Sequence, residues 1–282
     1  MNVFFPIAAA ILQAASFTLD KVALSIKRVG FKNYAAVSFP LIFLISLVLF
    51  AIVRPPLSSE MLGGIIPLLL AISAGIVIAV NLLFYRALDG DNLSELETLV
   101  LLEKIPIILA ASLLFADERN FTVLIPALIA SLAVVWSHFE RHHFVMVRKT
   151  AAYFIPALLL APVEASIAKI ILETWHPISF EVVRGGLVAG VMSILYMRHI
   201  DRTPQGAFFP LLITNILTTI AWILFYYSYK TSGIVYTALL FSLQPLLVYF
   251  SSVFFLKEKF HAKKFAAFLV VLAAIAYAQI SS

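Results

Sequence analysis

No cysteine occurs among the 282 residues, which excludes disulfides, cysteine nucleophiles and thiolate metal sites. Charge is scarce too: Asp, Glu, Lys and Arg make up 12% of the chain, against 62% hydrophobic residues and a mean hydropathy of +1.03. A soluble domain carries about 25% charged and about 45–50% apolar residues. This chain therefore has too little charge to cover a surface facing water, and it belongs in a bilayer. The short alternating strands of a membrane β-barrel are missing, because the apolar runs are apolar on all sides. No signal peptide is expected, since the first run lacks a basic leader and is followed by further runs. No GxxxxGK[ST] loop occurs, so direct ATP drive would need another chain. The six histidines form no metal-binding pattern, and His142 and His143 sit in a basic loop where solvation accounts for them. No catalytic group, metal or cofactor is expected. No room is left for an appended nucleic-acid-binding or catalytic domain, so the expected partners are the lipid bilayer and a small-molecule solute.

What the chain does have is apolar length. A hydrocarbon core roughly 30 Å thick needs about 20 mainly apolar residues per helix, and ten such spans fit: 3–24, 34–53, 63–86, 93–115, 121–138, 150–172, 178–197, 207–229, 233–256 and 261–280. Two stretches repeat one order. Tyr85–Asn120 and Trp222–Lys264 each run from a helix end through a turn into a long span with a late proline, Pro106 or Pro245, and then an acidic-basic cap. Proline is tolerated inside membrane helices where neighbours re-satisfy the freed carbonyl. The loop around 139–150 divides the spans into fives, and an odd number turns the second set upside down, as in many secondary transporters. The expected fold class is an all-α polytopic membrane protein, ten transmembrane helices in two inverted five-helix repeats, residues 1–143 and 144–282. One chain holding both repeats is expected to work as a monomer, with a homodimer left open.

Basic loop residues set the orientation. Lys27, Arg28, Lys32, Arg86, Arg141, Arg148, Lys149, Arg198, Arg202 and the lysines of the 257–264 turn fall on one side, and only Arg54, Arg119 and Lys230 on the other. The positive-inside rule then places both termini away from the cytoplasm, in the plasma (inner) membrane of a prokaryote.

Ionisable groups inside spans are costly, about 2.5–3.5 kcal/mol each at a helix centre, and usually face the protein interior or water. Glu103 and Lys104 stand about ten residues into the fourth span, just before Pro106. Adjacent residues point different ways round a helix and do not pair as residues three or four apart do, so each needs a partner elsewhere. They either line a central cavity or form a bridge between spans. Glu164 occupies the middle of the sixth span and is the first candidate for coupling to a proton gradient, because desolvation favours the neutral carboxyl. Lys21, Lys169 and Arg184 either snorkel to the interface or serve as structural or gating groups with the two prolines, and Glu181 with Arg184 has the spacing of a local salt bridge. Gln13, Asn81, Asn215 and Gln244 recur at matching depths and suggest a polar cavity floor, although each could be a helix-helix hydrogen bond. Trp222 and Tyr226 fit either a cavity wall or an interfacial belt. Aromatic groups facing a cavity would suit a planar or amphipathic solute.

The stretch SLQPLLVYFSSVFFLKEKFHAKKFAAFLVVLAAIAYA, Ser242 to Ala278, with its first-half counterpart KIPIILAASLLFADERN, resembles the EamA-type transporters of the drug/metabolite transporter superfamily. The glycine usual before the motif glutamate is Asp117 in one copy and Lys257 in the other. The resemblance implies a carrier with two five-helix repeats around a central pathway, commonly an exporter of small organic solutes. It also implies that Lys21 and Lys169, and Arg184, are shared architectural features. Glu103, Lys104 and Glu164 match no family position and are expected to be individual to this protein.

Overall fold

The structure is a computed structural model that describes residues 2–26, 29–57, 59–88, 102–138, 148–202, 204–255 and 260–281. The start of the expected fourth span, the divider between the halves, and Glu258 lie outside the described residues. Every element among the described residues is a helix, with α1 (Phe4–Ser25), α2 (Phe31–Val53), α3 (Ile66–Leu88), α4 (Lys104–Leu114), α5 (Phe121–His138) and α6 (Arg148–Thr174). They are followed by α7 (Pro177–Tyr196), α8 (Gln205–Ser232), α9 (Ile234–Phe241), α10 (Leu243–Phe255) and α11 (Ala262–Ser281). Seven segments are long and apolar enough to cross a membrane, with α9 and α10 together forming one of them, and three shorter apolar helices in α1, α4 and α5 complete ten. Large apolar side chains face outward, with Ile194 at 84% and Ile280 at 88% exposure. In an integral membrane protein that surface is covered by lipid rather than water.

Helix ends follow local chemistry. Each late proline has no N–H to give the residue four before it: α9 gives way to α10 at Ser242, three residues before Pro245, and α4 is described from Lys104, two residues before Pro106. α7 starts with Pro177 in its first turn, where a missing N–H costs nothing, and with His176 Nδ1 accepting from Ile178 N–H at 3.3 Å. Nδ1 accepts only when the imidazole is neutral, with its hydrogen on Nε2 donating to Tyr227 Oη at 2.8 Å. Burial, and then the nearby Lys230 charge, hold this imidazole below its ordinary 6.5. The cap therefore contributes fully above that ordinary value and is lost as pH falls through the lower folded one. His176→Asn keeps a capping acceptor that does not titrate. It is expected to flatten the fall in thermal midpoint between about pH 7 and about pH 5, and an unchanged slope in detergent-solubilised protein would contradict the cap.

The helices pack in reciprocal pairs. α1 lies along α8 and α3 along α6, while α2 faces α7 and α5 faces α11. The segment Ile234–Ser251, α9 with most of α10, is 83% buried against 17% for α11. The interrupted helix is thus central, wedged by α9 against α1, α4 and α5. Ala9, Ile108, Ala130, Ile171 and Leu239 belong to the main apolar core around it.

Candidate functional site

Between these helices lies a cavity of about 260 Å³. Glu103 and Lys104 reach it at the start of α4, and Phe241 and Gln244 from the two sides of the α9–α10 break. Breaks in helices are where transporters commonly build a solute site, and at Ser242 the backbone keeps α-helical angles, so the break consists of the one hydrogen bond that Pro245 cannot make. The rest of the wall is strongly aromatic. Phe17, Phe39 and Phe84 come from α1, α2 and α3, and Trp222, Phe225, Tyr226 and Tyr229 form one stripe of α8. Trp222 stacks on Tyr226 at 5.8 Å between ring centroids, and Phe225 meets Phe241 edge-on at 4.8 Å.

Charges in the wall are held by specific partners. Arg184 Nη1 donates to Glu164 Oε1 at 2.8 Å and Nη2 to Glu181 Oε2 at 2.7 Å, and the guanidinium lies 4.8 Å from the Phe180 ring and 4.9 Å from the Tyr226 ring. A guanidinium suits this position because its planar fork serves two carboxylates while its faces rest on aromatic rings. Ser73 Oγ also donates to Glu164. The Lys104 ammonium sits over Phe241 at 4.9 Å and Phe225 at 5.8 Å. Asp20 Oδ1 accepts from Tyr34 Oη at 2.6 Å and from Thr214 Oγ1 at 2.7 Å. Among the described residues four carboxyl groups, Asp20, Glu103, Glu164 and Glu181, thus share the wall with two cations, Lys104 and Arg184.

A second pocket, about 320 Å³, opens at the end of the bundle near the N-terminus, where Asn2 N–H donates to Ser232 Oγ. Tyr229 borders both spaces. Beside it is a clamp: Lys169 Nζ donates to Glu118 Oε1 at 2.5 Å and to Asp117 Oδ2 at 2.6 Å. The same Glu118 accepts from the first two N–H groups of α9, Ile234 at 2.7 Å and Val235 at 3.0 Å. A carboxylate at a helix N-terminus answers orphan donors and the helix dipole together. Gly233 makes the approach possible, because its φ of +87° is a glycine conformation and a Cβ there would stand 2.7 Å from Glu118 Oε1.

Of the groups expected at a cavity, Gln13, Asn81, Glu103, Lys104, Glu164, Trp222, Tyr226 and Gln244 line it. Asn215 does not. It is 1% exposed and donates to Ser38 Oγ at 3.1 Å and Leu211 O at 2.6 Å, so its polarity is consumed in joining α8 to α2. Of the two readings left open for Lys169 and Arg184, their 8% and 6% exposure and their ion pairs agree with the structural one rather than with snorkelling. The Lys21 side chain lies outside the described residues. Two further acids belong to the wall: Asp20, which carries no expectation from the sequence, and Glu181, expected only as the local partner of Arg184. Asp20 was detectable as an acid within the first span whose neighbour Lys21, one position on, cannot face the same way.

Residues 149–278 match the EamA-like transporter family. The match takes in a little under half of the chain, the part after the divider loop, and agrees with the resemblance to the drug/metabolite transporter superfamily seen in the sequence. A solved crystal structure, described only as that of a protein, aligns over 99% of this chain and 97% of its own with TM-score 0.73 and 14% identity. At that identity the likeness shows the fold alone. No curated protein sequence matches the chain. Within the EamA-like match fall Glu164, Lys169, Arg184 and the α8 aromatic stripe, while Asp20, Glu103 and Lys104 enter the same cavity from outside it.

Proposed function

We propose that this EamA-like protein is a secondary carrier that moves a small amphipathic organic solute outward across a prokaryotic plasma membrane by alternating access, as a monomer. The observation that carries the reading is the cavity itself, apolar and aromatic for most of its wall, with convergent charges and the α9–α10 break at its surface. Sites for small molecules are typically apolar hollows with a few placed polar groups. The packing supports two five-helix halves, residues 1–143 and 144–282, in opposite senses. Exchanging each span for its counterpart five further on turns the α1–α8 contact into the α3–α6 contact and leaves α2–α7 and α5–α11 unchanged. In the orientation read from the basic loops, the Lys169–Glu118 clamp closes the non-cytoplasmic end, so the cavity belongs to an inward-facing state. A proton gradient supplies the drive through a carboxyl group of the wall.

Three labelled indole compounds of different charge test this in sealed vesicles containing the purified protein: tryptamine, indole-3-acetate and tryptophan. Saturable exchange of at least one, absent from protein-free vesicles, is expected. The excess of carboxyl groups in the wall favours the amine. Failure of all three to exchange, or flux that rises without saturation as through a channel, would contradict the reading.

A further inference from the structure

The four carboxyl groups of the cavity fall into two kinds. Glu164 and Glu181 are bound to one guanidinium, and the Glu103 charge, though not hydrogen-bonded to its chain neighbour Lys104, acts electrostatically on that buried ammonium. A proton landing on any of these leaves a cation with a weakened counter-charge in a buried place, which is costly. Asp20 is different. It is 4% exposed, its Oδ1 takes both hydroxyl donors, Tyr34 from α2 and Thr214 from α8, and among the described residues Oδ2 accepts no hydrogen bond and the carboxyl makes no ion pair. Both donors are neutral, so Asp20 can gain a proton without stranding a charge, and both can go on donating to the carbonyl oxygen of the neutral acid.

We propose that Asp20 is the group through which this carrier takes up and releases its coupling proton. A proton from cavity water binds Oδ2 while one face is open and returns to cavity water after the other has opened, so no co-reactant is needed. Glu164 is then the fixed counter-ion of Arg184 rather than the coupling group. The link to the conformational change lies in Thr214, because hydrogen bonds to an ionised acceptor are about twice as strong as neutral ones. Asp20 belongs to the first half and Thr214 to the second. Ser16 adds to the same seam, with Thr214 Oγ1 at 2.8 Å and Thr218 Oγ1 at 2.5 Å. Ionised Asp20 therefore ties α1 to α8, and protonated Asp20 loosens them. The charged and titratable groups bordering the same cavity are Glu103 and Lys104 from α4, Glu164 from α6, Glu181 and Arg184 from α7, and Tyr226 and Tyr229 from α8, with Tyr34 in direct contact from α2. Lys21 follows Asp20 on its own helix.

The proposal rests on the carrier reading, and its test separates the two. Infrared spectra of the full chain in vesicles are recorded through a pH titration, with tryptamine, tryptophan and indole-3-acetate exchange measured on the same preparation. A titrating protonated-carboxyl band is expected in the wild type, lost in Asp20→Asn and kept in Glu164→Gln, and stimulation of exchange by an imposed pH gradient is lost in Asp20→Asn. Should Asp20→Asn fail to fold, Thr214→Val leaves the acid in place while removing one donor to its charged form, and is expected to move the band's midpoint upward by about one pH unit. A band that survives Asp20→Asn, vanishes in Glu164→Gln, ignores Thr214→Val, or is absent from the wild type overturns the proposal alone. Absence of exchange in the wild type overturns the carrier reading and this proposal with it.

Discussion

Arg184→Met is expected to lower the stability of the protein by about 3–5 kcal/mol, the usual cost of leaving a buried charge without its partner, and to abolish solute exchange. The size follows from what one guanidinium does. It holds Glu164 from α6 and Glu181 from its own helix at 2.8 and 2.7 Å, in a place where all three side chains are no more than 18% exposed. Without it, two carboxylates face each other with no counter-ion. The triple variant Arg184→Met/Glu164→Gln/Glu181→Gln removes the whole charge set, and replacing a buried ionic group completely is often neutral. Its thermal midpoint in detergent is expected to return most of the way to the wild type, while exchange stays absent because the cavity has lost its central charges. A triple variant no more stable than Arg184→Met would show that the three groups do not act as one unit.

Glu118→Gln is expected to be the second most damaging change. An amide offers one acceptor oxygen where the carboxylate uses two, so the ion pair with Lys169 is lost and one of the Ile234 and Val235 N–H groups is left unanswered. Asp117 remains on Lys169, which limits the loss to about 2–3 kcal/mol. Gly233→Ala should act in the same direction, since it strains the backbone and pushes the carboxylate away. Asp117→Asn should do little, because its side chain is 68% exposed and exposed ion pairs contribute about 0–1 kcal/mol. Thermal midpoints of the three variants check the order. Equal losses in Asp117→Asn and Glu118→Gln would remove the special role given to Glu118.

Much of this was legible in the chain because a bilayer imposes length and polarity rules that a single sequence displays. The ten spans follow from apolar runs, and Glu103, Lys104 and Glu164 stand out against those runs. The position of Pro245 anticipates the break between α9 and α10, although not that it falls three residues upstream. What stayed hidden depends on which spans touch. Glu118 reads as a helix cap at the end of the fourth span, yet its carboxylate reaches Lys169 and the start of α9, more than fifty and more than a hundred residues away. Glu181 and Arg184 are visible as an i,i+3 pair, whereas the addition of Glu164 needs α6 beside α7. Asn215 shows the converse error: a polar residue in a span signals unmet hydrogen bonding only if no neighbour meets it, and Ser38 does.

The central claim is a water-filled path between the two halves, closed at the Glu118 end. Because the chain has no cysteine, single cysteines can be placed in the natural background and probed with a membrane-impermeant thiol reagent in sealed, uniformly oriented vesicles. Asn81→Cys, in the cavity wall, should react from one face only. Ser232→Cys, in the second pocket, should react from the opposite face, and Ile194→Cys, on the lipid-facing surface, from neither. Glu118→Gln should open Asn81→Cys to the second face. An Asn81→Cys that stays unmodified from both faces would contradict the account.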